Sequence, residues 1–160
     1  LIFVLIFVPL MIFLGSKISS KQRDMVLYGM GIYQLGNKAL TQIGYIFSDN
    51  YIIASNLPLH LCGLSGILAG IVVFYRKQIL FEFLYFFGLV GFIHSVLTPE
   101  FTGGVSSWKI FDYYVGHSML IIIPVWLMKY YEFRLRHNAW WTSFIYLQLI
   151  VVLVLSLIHI

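Results

Sequence analysis

The chain has 160 residues, 61% of them hydrophobic and 10% charged, whereas an average soluble domain is roughly a quarter charged. A single core of this size cannot hide so much apolar side chain, which excludes a soluble globular domain and makes lipid the solvent that suits the composition. The net charge of +4 does not point to nucleic acid, because the cations stand beside apolar runs, where they set topology or touch anionic headgroups.

In hydrocarbon every backbone amide must find its partner within the protein, so only a helix bundle or a closed barrel can span. The apolar runs here are about 16 to 22 residues long and do not alternate, which predicts an all-α, polytopic transmembrane helix bundle. Six spans are expected in chain order: residues 1–14, 25–47, 57–75, 79–98, 111–128 and 139–160. No repeat or long linker divides them, so residues 1–160 read as one transmembrane domain. Both ends fall inside apolar runs, and truncation at both is expected; residues 1–14 lack the basic start and cleavage site of a signal peptide.

Loop charge orients the bundle. Lys17, Lys21 and Arg23 follow the first segment, Arg76 and Lys77 the third, and Lys129, Arg134 and Arg136 the fifth. The positive-inside rule makes loops 15–24, 76–78 and 129–138 cytoplasmic, and the expected location is a bacterial plasma membrane. Of the remaining cations, Lys109 lies in an opposite loop and Lys38 within a span. Tyr130 and Tyr131 on the inner side, and Trp108, Tyr113 and Tyr114 on the outer, suit either interfacial anchoring or plain lipid contact.

The second segment carries a polar stripe. Gln34, Asn37, Lys38, Thr41, Gln42 and Tyr45 recur at helical spacing on one face. Facing lipid, each amide and the ammonium would cost a few kcal/mol, so the stripe is expected to face the bundle interior or a wet cavity. It serves either as interhelical glue or as part of a site.

Other polar groups gather by depth. His60 and Cys62 lie near the outer end of the third segment and His94 near that of the fourth. Asp112 opens the fifth, and His117 lies one to two turns deeper. At 1.5 Å rise per residue all five fall within about 10 Å of the outer boundary. Glu82 lies at the other end, where Arg76 or a headgroup is its expected partner. The single cysteine, Cys62, cannot form an internal disulfide, and it shares a face with Ser65, Gly66, Ala69 and Gly70, small residues that admit a close neighbour. It is either a packing residue or a nucleophile activated by an imidazole, with His117 the candidate base and His94 and His60 the alternatives. Zinc is a further reading of a cysteine with three histidines in one layer, but no tight ligand spacing supports it. No metal and no other cofactor is expected.

The stretch Leu57-Pro58-Leu59-His60-Leu61-Cys62, followed by Glu82-Phe83-Leu84-Tyr85-Phe86-Phe87-Gly88-Leu89-Val90-Gly91 and Leu97-Thr98-Pro99-Glu100, resembles the YwaF-type bacterial integral membrane family. That family is similar to the eukaryotic transmembrane protein 164 family. The resemblance covers roughly residues 33–131 and implies about seven spans in a complete member. It also implies a phospholipid acyltransferase that carries an acyl chain on a cysteine with a histidine partner, matching Cys62 by motif and His117 by chain order. On that reading Lys38, Gln34, Gln42, His60, His94 and Asp112 are expected to line the substrate site, and membrane lipids are the partners. Two other readings stay open: a transporter with a polar path through Gln34, Lys38 and His117, and a non-catalytic membrane scaffold.

Overall fold

A computed structural model describes residues 2–47, 61–99 and 106–158, with the backbone alone at 157 and 158. These residues form six α-helices: α1 (Ile2–Lys17), α2 (Ser20–Ile46), α3 (Leu61–Tyr75), α4 (Gln78–Leu97), α5 (Ser107–Tyr130) and α6 (Ala139–Ile158). The all-helical reading holds. Expectations placed on residues 57–60 and on Glu100, His60 among them, lie outside the described residues.

Capping explains where two helices begin earlier than hydropathy predicts. The Ser19 hydroxyl accepts from the Gln22 amide while the Gln22 side chain accepts from the Ser19 backbone N–H, a reciprocal capping box that starts α2 among the cations. The expected loop 15–24 thus shrinks to Ile18 and Ser19, and its charges ride on helix ends. Ser106 caps α5 by accepting from the Lys109 amide, moving that start to Ser107.

Length and hydropathy qualify α4, α5 and α6 as membrane-crossing helices. The other two apolar helices, α1 and α3, have 16 and 15 described residues, short of the roughly 20 that a bilayer asks for. Helix α2 has ample length at 27 residues but a mixed composition, with Lys21, Arg23, Asp24 and Lys38 along it. Three candidate spans therefore stand where hydropathy predicts six.

Helices α3 and α5 form the centre: α3 packs against α2, α4 and α5, and α5 also against α1, α2 and α4, while α6 lies on α4. Small residues set these approaches. A methyl added at Gly31 of α2 would lie 2.9 Å from the Val73 side chain of α3, and one at Gly88 of α4 would lie 2.8 Å from the Leu120 carbonyl oxygen of α5. Such close packing is what associates helices in lipid, where burial from water no longer separates one apolar surface from another. The half of the bundle near residues 76–78 is filled by Val72, Val73, Leu84, Ile122, Trp126 and Leu127, each at most 1% exposed.

That end is closed by ionic contacts. The Glu82 carboxylate, 1% exposed, accepts a two-pronged pair of bonds from the Arg136 guanidinium (Nη2 2.7 Å, Nε 3.0 and 3.1 Å) and one from Gln78 at 2.7 Å. Its partner is thus Arg136 and not Arg76, because the segment after α5 folds back over the start of α4. Arg76 instead pairs with Asp24 at 2.9 Å, and the Tyr131 hydroxyl donates to the same carboxylate at 2.7 Å.

Candidate active site

The opposite end of the bundle holds the polar layer. Asp112, in the second turn of α5, is clamped by α2: the Tyr33 hydroxyl donates to Oδ1 at 2.6 Å, and the Asn37 amide reaches both carboxylate oxygens at 3.1 and 2.9 Å. One turn along, buried Gln34 donates to the Gly116 carbonyl at 2.8 Å. The positions that carry these bonds, 33, 34 and 37, form one helical face, as the spacing of the stripe predicts. Gln42 and Tyr45 continue it half-buried, whereas Thr41 is exposed and its hydroxyl turns back to the Asn37 carbonyl.

Lys38 crosses from α2 to α3. A methyl on Gly66 would lie 2.8 Å from its Cε and 3.7 Å from its Nζ, so the lysine occupies the room that glycine leaves. Gly66 is one turn from Cys62 on the same face of α3. Among the described residues no carboxylate forms an ion pair with Lys38 at contact distance.

Half-buried Cys62 faces α4, where its thiol donates to the Gly91 carbonyl at 3.7 Å. A Cβ at Gly91 would meet both the Cys62 sulfur at 3.4 Å and Leu120 of α5 at 3.7 Å. His117 stands one turn from Leu120 along α5, towards the polar layer. Its Nδ1 lies 2.8 Å from the Tyr113 carbonyl; a carbonyl can only accept, so Nδ1 carries the proton and Nε2 is the basic nitrogen of the neutral ring. The Tyr113 ring lies against it, tilted by 38° with centroids 4.2 Å apart, and donates its hydroxyl to the Ser95 carbonyl of α4 at 3.2 Å. Ser65, three residues after Cys62 on α3, is fully buried, with a hydroxyl that has no hydrogen-bond partner among the described residues. A buried hydroxyl left unbonded is costly and marks a place where a polar group fits.

These contacts tie Gln34, Asn37 and Tyr33 of α2 to Gly116 and Asp112 of α5, and Lys38 to the face of α3 that carries Cys62; His117 lies one residue beyond Gly116 on α5. They do not include His94. That residue is exposed on the far side of α4, with Thr98 Oγ1 3.5 Å from its ring and Val90, Ile93 and Leu97 around it. No group of three His, Cys, Asp or Glu side chains gathers at metal-binding distance among the described residues. Sequence reasoning missed the Tyr33–Asp112 bond, the receiving role of Gly66 and the orphaned Ser65. The first was within reach, since Tyr33 stands four residues before Asn37 on the same stripe. The other two depend on how α3 rotates against its neighbours, which spacing does not reveal.

The sequence profile of the TMEM164 family matches residues 1–158, nearly the whole chain. No curated protein and no solved structure matches it. The extent of the profile match, over an all-helical chain with three helices apolar enough to cross a membrane, identifies a membrane protein: the chain belongs to the TMEM164 family.

Proposed function

We propose that the protein is an integral membrane enzyme that transfers or hydrolyses lipid acyl chains, with Cys62 as nucleophile and His117 as base. The observation that carries this reading is the placement of Lys38 over Gly66, one turn from the thiol. The thiolate is the reactive form of cysteine, and in a medium of low dielectric it needs a cation or imidazole nearby. Lys38 supplies the positive charge, and Asp112, held by Tyr33 and Asn37, keeps that charge compensated while the thiol is neutral.

The chemistry follows from these roles. His117 Nε2 takes the thiol proton as sulfur attacks the ester carbonyl carbon; the carbon–sulfur bond forms, the carbon–oxygen bond breaks, and the leaving alkoxide receives the proton. The acyl chain rests on Cys62 as a thioester until a lysolipid hydroxyl or water attacks it. The Ser65 hydroxyl and the Lys38 ammonium are the donors available to the developing oxyanion. The resemblance drawn from the Leu57–Cys62 stretch implies the same nucleophile. The packed apolar half beneath the layer, from Val72 to Leu127, supports a closed reaction chamber over a transport path.

The same reading makes the cation-rich end cytoplasmic, with α1, α2 and α3 completing their spans alongside the three longer apolar helices, in a bacterial plasma membrane. The layer then lies near the headgroups of the outer leaflet. Cys62→Ala in the purified protein is expected to abolish turnover of ester phospholipids; unchanged turnover would refute the enzyme reading.

A further inference from the structure

We propose that the groove between α3, α4 and α6 is a second lipid site, separate from the Cys62 layer, which holds one acyl chain of an anionic phospholipid whose headgroup rests on Lys77 and Arg134. The groove has a volume of about 240 Å³ and is lined by Leu64 and Leu68 of α3, Ile79, Leu80 and Phe83 of α4, and Tyr146 and Ile150 of α6. Nearly all of its surface is hydrocarbon or aromatic, which suits an acyl chain and gives a polar ligand nothing to bond.

Charge at one end selects the kind of lipid. Ile79 follows Gln78, whose side-chain amide donates to the Arg134 carbonyl at 2.6 Å, so the segment after α5 is tied to the groove's mouth. Arg134 and Lys77 are both exposed there, and neither has a carboxylate partner among the described residues. Arg134 is already ordered, with Nη1 donating to the carbonyls of Met128 at 3.0 Å and Phe133 at 3.4 Å. Arg136 spends its charge on buried Glu82 and is therefore not a headgroup ligand. Two exposed cations without a carboxylate partner, on segments that adjoin the end of an apolar groove, match a phosphate above its acyl chain.

Cys62 takes no part. It points to α4 through Gly91, whereas Leu64 and Leu68 leave α3 on another side, and the groove's charged mouth lies at the opposite end of α4 from Gly91. The site would hold whether or not the thiol is catalytic; only the assignment of its mouth to the cytoplasmic leaflet rests on the orientation proposed above.

The test uses the full chain in nanodiscs or detergent, with native mass spectrometry reading the binding of added phosphatidylglycerol and phosphatidylcholine. The unchanged protein is expected to hold one phosphatidylglycerol in clear preference to phosphatidylcholine. The double variant Lys77→Gln/Arg134→Gln, which alters exposed side chains only, is expected to lose that preference by roughly ten-fold or more. Leu68→Trp, which fills the groove, is expected to remove the bound lipid of either kind, and Cys62→Ser is expected to keep it. Equal binding of the two lipids, or an unchanged preference in the double variant, would overturn the proposal. So would crosslinking of Leu64→Cys or Ile150→Cys between two copies of the chain, which would make the groove a protein interface.

Discussion

Lys38 is the residue on which the proposed chemistry turns. An ammonium inside a helix bundle needs a compensating charge or a polar cavity, and Lys38 reaches the face of α3 that carries Cys62. Lys38→Met should therefore slow alkylation of Cys62 by a small maleimide several-fold at neutral pH while the fold persists, because a thiol without a neighbouring cation is less often a thiolate. Gly66→Ala separates position from charge. Its methyl would lie 2.8 Å from Lys38 Cε, the flexible end of a long side chain that can move aside. Thermal stability should change little, about 1 kcal/mol at most, but the alkylation rate should fall as it does in Lys38→Met. A rate equal to that of the unchanged protein would show that the lysine does not serve the thiol. The stripe that carries Lys38 was legible in the sequence because its spacing is helical. Its target on α3 was not, since a glycine advertises room without saying what fills it. His94 shows the converse: shared depth brought it into the expected layer, but depth says nothing of rotation about the helix axis, and its ring faces outward.

At the scale of elements, α4 is held at two places by different means. Its middle meets α5 through Gly88, where an added methyl would press at 2.8 Å on the backbone oxygen of Leu120. Backbone cannot swing aside, so Gly88→Ala should destabilise by about 1–3 kcal/mol, visible as an earlier thermal transition in detergent. Its first turns are fixed through Glu82. Arg136→Met would leave that buried carboxylate without its guanidinium and should lower the thermal transition, less than for a fully enclosed pair because Arg136 remains 56% exposed. Arg136→Lys should recover only part, since an ammonium cannot reproduce the planar two-pronged contact. Helix existence and most boundaries were legible from hydropathy, which reads apolar length well. The starts of α2 and α5 were misplaced by several residues because Ser19 and Ser106 begin helices in polar sequence, where side-chain caps replace hydropathy as the signal.

For the molecule as a whole, the Asp24–Arg76–Tyr131 contact joins α2, the α3–α4 turn and the exit of α5, and it gives stability a defined pH window. Hydrogen bonds from Tyr131 and then Arg76 hold the Asp24 carboxyl below its ordinary value of 3.8. This contribution is complete above pH 3.8 and is lost as pH falls through the lowered folded value. The Tyr131 hydroxyl is pushed up to about 12, first by desolvation and then by the Asp24 carboxylate. Its contribution is complete below pH 10 and lost as pH rises from 10 towards 12. Thermal unfolding of the purified protein should show both declines, and Tyr131→Phe should shrink each. Declines that survive undiminished in the variant would assign them elsewhere. Class, membrane character and family were legible in composition and motif; the clasps were not, because pairing between distant loops depends on how the helices close. The proposed acyl carrier, Cys62, is tested most directly by intact-protein mass spectrometry after incubation with a diacyl phospholipid. One added acyl group, mapped to Cys62 and released by hydroxylamine, is expected, and none in Cys62→Ala. An adduct on another residue, or lipid turnover with Cys62 never modified, would contradict that role.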